Sequence, residues 1–118
     1  MVVRKQPGLP DLVTAGGDTV AVRMPGHSVP RALAQGLGRP ITGTSANRSG
    51  STGLTTAQAV NEHLGQDIDY IVDDGECPGG VQSTVVDLTT GSPVILREGA
   101  VPLRAIEEAC GEEVGLAE

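Results

Sequence analysis

Runs of apolar and β-branched residues, separated by turns rich in Gly and Pro, predict several short strands along the chain. The clearest run is 19–24 (TVAVRM), in which apolar and polar positions alternate until Pro25 and Gly26 end it. Val2 and Val3 form the stub of another strand. Shorter runs predict strands over 40–42, 70–73, 83–88 and 93–97. The last two are separated by a turn over 89–92, which predicts a hairpin.

Helical segments are predicted between these strands. Ser28 is a suitable N-cap for a helix over 29–37, and Thr55 for a helix over 56–64 that Gly65 ends. Pro102 opens a last helix over 103–110. The stretch 8–18 is predicted to be a loop with one helical turn, and 111–118 a frayed tail. Strands alternating with helices predict an α/β or α+β fold with a mixed sheet.

The composition limits how large the core can be. The chain has 118 residues, enough for one small domain or for part of a larger one. It contains no Phe and no Trp, and Tyr70 is its only aromatic residue. The core must therefore come from Val, Leu, Ile and Ala, each of which buries less area than an aromatic side chain.

The net charge of −7 is unevenly distributed. Residues 1–60 carry a net charge of +4, and residues 61–118 carry −11. Seven of the eight basic residues are Arg, whose planar fork of donors suits carboxylates and phosphates. An acidic chain is a poor candidate for binding nucleic acid through bulk charge, but a small anion held by one or two Arg remains open.

The two cysteines, Cys77 and Cys110, form no CxxC motif or other disulfide-framework spacing. Free thiols in a reducing compartment are therefore favoured over a disulfide. The first residues contain no apolar signal segment, and no apolar run approaches the length of a membrane span. We therefore expect a cytoplasmic protein that is not bound to a membrane.

Several familiar motifs fail on inspection. The stretch 36–41 (GLGRPI) has Ile where a dinucleotide fingerprint requires its third Gly. The acidic run 67–76 has apolar residues where a calcium loop requires a ligand and a Gly, and a solvated turn is the better interpretation. Neither His27 nor His63 has partners at metal-ligand spacing, and Cys77 has no His nearby in sequence. We predict no resident metal site and no catalytic side chain.

Polar residues remain at the ends of the predicted strands. The loop 43–50 (GTSANRSG) is rich in hydroxyl and amide groups, and the other members of the set are Arg23, Ser83, Thr84 and Arg97. Each residue alone is more simply explained as a surface or capping residue. Together they supply what a phosphate site needs, because small residues let backbone N–H groups approach the oxygens while Arg supplies charge.

The segments TVAVRMPGH, PITGTSANRSG, STVVDL and VILREG, in this order and at these intervals, resemble the YrdC-like family of threonylcarbamoyl-AMP synthases. The resemblance covers residues from about 19 to 106. It implies a twisted open mixed sheet with flanking helices and a positively charged cavity. It also implies an enzyme that joins L-threonine, bicarbonate and ATP, with Mg²⁺, into threonylcarbamoyl-AMP and pyrophosphate. A threonylcarbamoyl transferase complex then modifies tRNA, and some members are described as binding double-stranded RNA.

The resemblance also implies roles for individual residues. It places the ATP site at Thr19, Ser45, Asn47, Gly53 and Arg97. It places the threonine site at Arg23, Gly43 and Ser83, with Arg23 paired to the substrate carboxylate. No residue is implied to act as a nucleophile, since positioning and charge stabilisation suffice for this chemistry.

Two departures from the family pattern affect these expectations. The family's upstream Lys-x-Arg element and Thr-x-Tyr-Gly-Leu-type motif have no match here, which indicates a partial YrdC-like domain over 1–110, truncated at its N-terminus, with a tail over 111–118. Gly53 stands where many members have Ser, which leaves one ATP side-chain contact in doubt. Three hypotheses follow: a synthase, an inactive truncated remnant, or an RNA-binding module without catalysis.

Overall fold

The structure, a computed structural model, describes residues 1–47, 53–78 and 81–117. It divides into two compact units, one formed by Met1–Arg31 with Val81–Glu118 and the other by Ala32–Gly80. The first unit contains the sheet, and the second contains most of the long loops.

The first unit is built on a five-stranded mixed sheet in the order β2-β1-β3-β4-β5. Its strands are β1 (Val2–Arg4), β2 (Thr19–Ala21), β3 (Val85–Asp87), β4 (Val94–Arg97) and β5 (Gly115–Leu116). β1 pairs antiparallel with β2 and parallel with β3, while β4 pairs antiparallel with β3 and parallel with β5. This mixed open sheet confirms the predicted fold class.

A small apolar cluster lies on one side of the central strands. Val86 and Ile95 are cross-strand partners on β3 and β4, and both are buried together with Val114. Helix α4 (Leu103–Cys110) packs Leu103 and Ile106 against this cluster. The helix ends at Gly111, whose φ of 72° is the left-handed conformation that glycine adopts without steric cost. Aliphatic residues thus form the core, as the composition requires.

A short connection joins β1 to β2. Helix α1 (Asp11–Thr14) is a single turn, and Lys5 donates a hydrogen bond from its ammonium to the Asp11 carboxylate at the start of that turn. This agrees with the predicted loop containing one helical turn.

The first unit ends at Arg31, within helix α2 (Ser28–Leu37), and helix α3 (Ala57–Leu64) belongs to the second unit. The N-cap of α3 is Thr56, whose hydroxyl accepts the amide of Ala59 at 3.2 Å. The predicted cap, Thr55, instead donates its hydroxyl to Glu76 at 3.3 Å. A 3₁₀ turn (Gly65–Asp67) follows the helix directly.

The structure differs from the predicted elements in three further segments. The segments 40–42 and 70–73 form no strand, because a strand needs a paired neighbour and neither segment has one within the described chain. In place of a frayed tail, Val114 is buried and β5 pairs with β4. The Gly115 amide donates to the carbonyl of Pro93, just before β4, at 3.0 Å, and the Ala117 amide donates to the Ile95 carbonyl on β4 at 2.9 Å.

Within the described residues, no helix combines the length and the apolar character needed to cross a membrane. Both cysteines are free and exposed, which agrees with the predicted thiols.

Candidate functional site

Strand directions place three of the predicted site residues at the same end of the sheet. Ser83 precedes β3, and Arg97 at the end of β4 is paired with Val85 at the start of β3. Because β2 runs antiparallel to β1 and β1 runs parallel to β3, Arg23 beyond β2 also lies at this end. We call this the Ser83 end of the sheet.

Three strand spacings separate β2 from β4 in the sheet order. At about 4.8 Å per spacing, the backbones near Arg23 and Arg97 are therefore about 14 Å apart. Both side chains are exposed.

Thr19 lies at the opposite end of the sheet. It begins β2 and is the cross-strand partner of Arg4, which ends β1. Arg23 follows Thr19 by four residue steps, which corresponds to about 13 Å along an extended chain. Within the first unit, Thr19 is therefore not brought next to Arg97, its predicted partner in ATP binding.

Arg97 and Ser83 are in direct contact. The Arg97 guanidinium donates two hydrogen bonds to the Ser83 carbonyl, from Nη2 at 2.9 Å and from Nε at 3.3 Å. A guanidinium has five N–H donors, so this carbonyl occupies only part of its capacity. The contact joins the predicted nucleotide-side Arg to a predicted threonine-side Ser.

The residues around Ser83 are tied to the chain that follows β4. The Thr84 hydroxyl donates to the Val101 carbonyl at 2.6 Å and accepts the Val101 amide at 3.1 Å. The Ala100 amide donates to the Gln82 carbonyl at 2.9 Å. These bonds, together with those of Arg97, fix residues 82–84 against the end of β4 and the loop that leads to α4.

Gly99 lies directly against this segment. A Cβ atom at Gly99 would come within 2.6 Å of both Ser83 C and Thr84 N, and closer still to the Gln82 carbonyl oxygen. These are backbone atoms, so they cannot rotate away as the end of a side chain could. Only a residue without a side chain allows this approach.

The second unit carries the other predicted site residues. Gly43, Ser45 and Asn47 lie in an irregular segment, in which Gly43 and Ser45 are exposed and Asn47 is half-buried. Residues 48–52 of the same polar loop lie outside the described residues, and Gly53 beyond them is exposed. A Cβ atom at Gly43 or Gly53 would meet nothing within 4 Å, so the surroundings do not require glycine at either position.

The chain after Gly53 is held against the turn of the acidic run. Besides the bond between Thr55 and Glu76, the Cys77 amide donates to the Thr55 carbonyl at 2.7 Å. Within the turn, Asp73 accepts the Gly75 amide at 3.0 Å, and Gly75 has a φ of 86°. The acidic run is therefore a turn, as its sequence predicts.

A second polar cluster closes the hairpin between β3 and β4. The Asp87 carboxylate accepts both the Thr89 hydroxyl at 2.7 Å and the Thr89 amide at 2.8 Å. Arg4 donates to the Thr89 carbonyl at 3.4 Å. The bonds from Thr89, aided by the Arg4 charge, hold the pKa of Asp87 below its ordinary value of 3.8. This cluster lies at the Thr19 end of the sheet.

Among the described residues, no group of three or more His, Cys, Asp or Glu side chains is arranged to hold a metal ion. A metal that accompanies ATP would be coordinated mainly by phosphate oxygens, which does not require such a group.

The sequence pattern predicted Arg23, Ser83 and Arg97 as site residues but did not indicate the residues that hold the segment around Ser83. In the sequence, Thr84 is a polar residue at the start of a predicted strand, and Gly99 is part of the VILREG segment. A glycine two residues after the last strand residue is a recognisable signal, but the backbone it approaches is 15 to 17 residues earlier in the chain.

These features define an α/β protein with a mixed open sheet and a cationic, hydroxyl-bearing end. The Sua5/YciO/YrdC family model, described as "Telomere recombination", matches residues 1–99. The chain belongs to this family, which confirms the resemblance seen in its sequence.

Proteins named threonylcarbamoyl-AMP synthase are similar to the chain over most of its length. The protein from Pyrococcus abyssi is 46% identical over 112 residues, which is 95% of this chain and 33% of that protein. The protein from Bacillus subtilis is 42% identical over 107 residues, 91% of this chain and 31% of that protein. The chain thus spans about a third of the length of these relatives.

Solved structures agree with the sequence comparison. The crystal structure of P. abyssi Sua5 complexed with L-threonine matches with a TM-score of 0.86 and 44% identity, over 98% of this chain and 34% of that one. A variant of P. abyssi Sua5 matches with a TM-score of 0.88 at 43% identity.

Proposed function

We propose that this chain forms part of a threonylcarbamoyl-AMP synthase, a nucleotidyltransferase that uses L-threonine, bicarbonate and ATP. The observation that carries the proposal is the Ser83 end of the sheet, where Arg97 contacts Ser83 and Arg23 lies at the same end. The names of the relatives, and the threonine complex of one of them, support the same reaction class.

The residues suit a reaction that needs positioning and charge. In the proposed reaction, an oxygen of N-carboxylated threonine attacks the α-phosphorus of ATP while the bond to the pyrophosphate leaving group breaks. Arg23 binds the threonine carboxylate, and Arg97 stabilises the negative charge of the phosphate oxygens. Mg²⁺ enters with ATP as part of the substrate and neutralises charge on the phosphates.

The remaining ligand contacts belong to the same proposal. Ser45 and Asn47, with Gly53 beyond the loop, contact the nucleotide, as does Thr19. Gly43 and Ser83 contact threonine. Threonylcarbamoyl-AMP then passes to a transferase complex that modifies tRNA, and we place both reactions in the cytoplasm.

The first experiment is a titration of the ¹⁵N-labelled chain with L-threonine, and separately with ATP and Mg²⁺, followed by NMR. We expect threonine to shift the amide resonances of Arg23 and Ser83, and ATP to shift those of Ser45 and Arg97. D-threonine and magnesium pyrophosphate serve as matched ligands that test whether the response depends on stereochemistry and on the nucleoside.

Specific shifts at these residues with L-threonine would support the proposal. If neither substrate shifts any of them at millimolar concentration, the chain is an inactive remnant. If only double-stranded RNA shifts the Arg resonances, and if salt abolishes that response steeply, the RNA-binding hypothesis replaces the proposal.

A further inference from the structure

We propose that Gly99 is a positioning residue for Ser83. Gly99 has no side chain that could contact a ligand, so its effect on the site is indirect. It allows the loop after β4 to lie against the backbone of residues 82–84, where any Cβ atom would overlap with Ser83 C and Thr84 N at 2.6 Å.

The close approach makes the hydrogen bonds of this segment possible. The Ala100 amide reaches the Gln82 carbonyl, and Val101 exchanges two hydrogen bonds with the Thr84 hydroxyl. These bonds lie on either side of Ser83 in the chain. Ser83 is therefore held between two fixed neighbours, and Arg97 fixes its carbonyl from the end of β4.

Replacement of Gly99 by Ala must move one of the two backbones. The overlap involves main-chain atoms only, so no side-chain rotation relieves it. Gly99 does not have a positive φ, so the substitution adds no strain from backbone conformation. Its effect can be assigned to the displaced segment, and a displacement of about 1 Å can weaken a positioned contact up to about a hundredfold.

Gly91 offers a matched control. It is exposed, it does not have a positive φ, and a Cβ atom there would meet nothing within 4 Å. Gly91→Ala therefore makes the same chemical change in the same unit without the overlap. Thr84→Val is a milder second variant, because it removes the hydroxyl bonds to Val101 without adding a Cβ atom to Gly99.

The experiment measures two quantities on the full chain by NMR. Hydrogen exchange of the Ala100 and Val101 amides reports whether residues 82–84 keep their position. The Kd of L-threonine reports whether a displaced Ser83 weakens ligand binding. This second readout rests on the proposed function, since threonine is the ligand proposed there. A loss of stability lowers the folded fraction seen in the spectrum, but it does not change the Kd of the folded protein.

We expect Gly99→Ala to lose protection at both amides and to raise the Kd of threonine by about tenfold or more. Gly91→Ala should match the original chain in both measurements. Thr84→Val should lose protection at Val101, because it removes the acceptor of that amide. A raised Kd of threonine in this variant decides the question if Gly99→Ala does not fold.

Unchanged amide protection in Gly99→Ala, or in Thr84→Val where that variant decides, would overturn the inference. So would lost protection with an unchanged Kd for threonine. If the original chain itself binds no threonine, the proposed function fails, and amide exchange alone then decides whether Gly99 positions Ser83.

Discussion

Arg97 shows how a single exposed residue links the two halves of the proposed site. Its guanidinium binds the Ser83 carbonyl through two donors, which restricts a side chain that would otherwise sample many rotamers. Preorganisation of this kind lowers the entropy lost when an anion binds. Because Arg97 is exposed, water screens its charge, and we expect any contribution to anion affinity to come more from its fixed geometry than from its charge.

The role of Arg23 can be tested by removing its charge. In an active form of the protein, Arg23→Ala should weaken threonine use by about 2–3 kcal/mol, the scale of a charge-assisted hydrogen bond. The affinity for ATP should change much less. Steady-state kinetics with each substrate varied in turn would measure both effects. Arg104→Ala is the control, since Arg104 is exposed on α4 and pairs with Glu108 in the same helix. Equal losses for both substrates would contradict the assignment of Arg23.

A hydroxyl that faces a ligand should matter for binding and not for folding. Ser45 is exposed, and Ser45→Ala should impair nucleotide binding while the melting temperature stays nearly unchanged. Calorimetric titration with ATP and a thermal melt of the same sample would test both parts. If the substitution instead destabilises the fold by more than about 1 kcal/mol, Ser45 is a structural turn residue.

At the scale of elements, the hairpin of β3 and β4 organises the first unit. Its far end is closed by Asp87, Thr89 and Arg4, and its near end carries Ser83 and Arg97. The same two strands supply Val86 and Ile95 to the core. The hairpin therefore couples the apolar cluster to the candidate site through a few residues of continuous strand.

The closing cluster predicts how the hairpin responds to acid. Because the pKa of Asp87 is lower in the folded protein than its ordinary value, ionised Asp87 stabilises the fold above about pH 4. This contribution is lost as the pH falls through the lower, folded pKa. Denaturant unfolding of Asp87→Asn should therefore show its largest loss of stability near neutral pH and a diminishing loss as the pH falls below about 4. Asp69→Asn, at an exposed aspartate, controls for the removal of one negative charge. A loss that does not depend on pH would rule out this role for the Asp87 carboxylate.

Local sequence signals predicted the elements well where local chemistry determines them. Alternation predicted β2, short apolar and β-branched runs predicted β3 and β4, and Pro102 predicted the start of α4. The same signals failed at 40–42 and 70–73, since β propensity indicates an extended backbone and says nothing about a partner strand. They also missed β5, because Gly115 and Leu116 have no strand pattern and pair only through the tertiary fold. The local sequence likewise could not show that Gly99 approaches residues 82–84, because that contact is between segments distant in sequence.

At the scale of the whole chain, apolar surface is the dominant feature. Among the described residues, only Val86, Ile95 and Val114 are buried hydrophobics. Leu12, Met24 and Tyr70 are 94%, 83% and 84% exposed. Exposed apolar side chains of this size favour association with another polypeptide where they lie together in one patch.

This exposure leads to a prediction about the purified 118-residue chain. A core of so few buried side chains supplies little of the free energy needed to offset chain entropy, and unpaired sheet edges invite association. Water also has access to Arg23 and Arg97, which weakens each contact with a phosphate or carboxylate. We therefore expect the chain to self-associate or to melt at low temperature with little cooperativity, and to make no detectable threonylcarbamoyl-AMP. Light scattering coupled to size exclusion, a calorimetric melt and a pyrophosphate-release assay with threonine and bicarbonate would test these expectations. A monomer that melts cooperatively and turns over ATP only when both co-substrates are present would contradict both the stability and the activity that we predict.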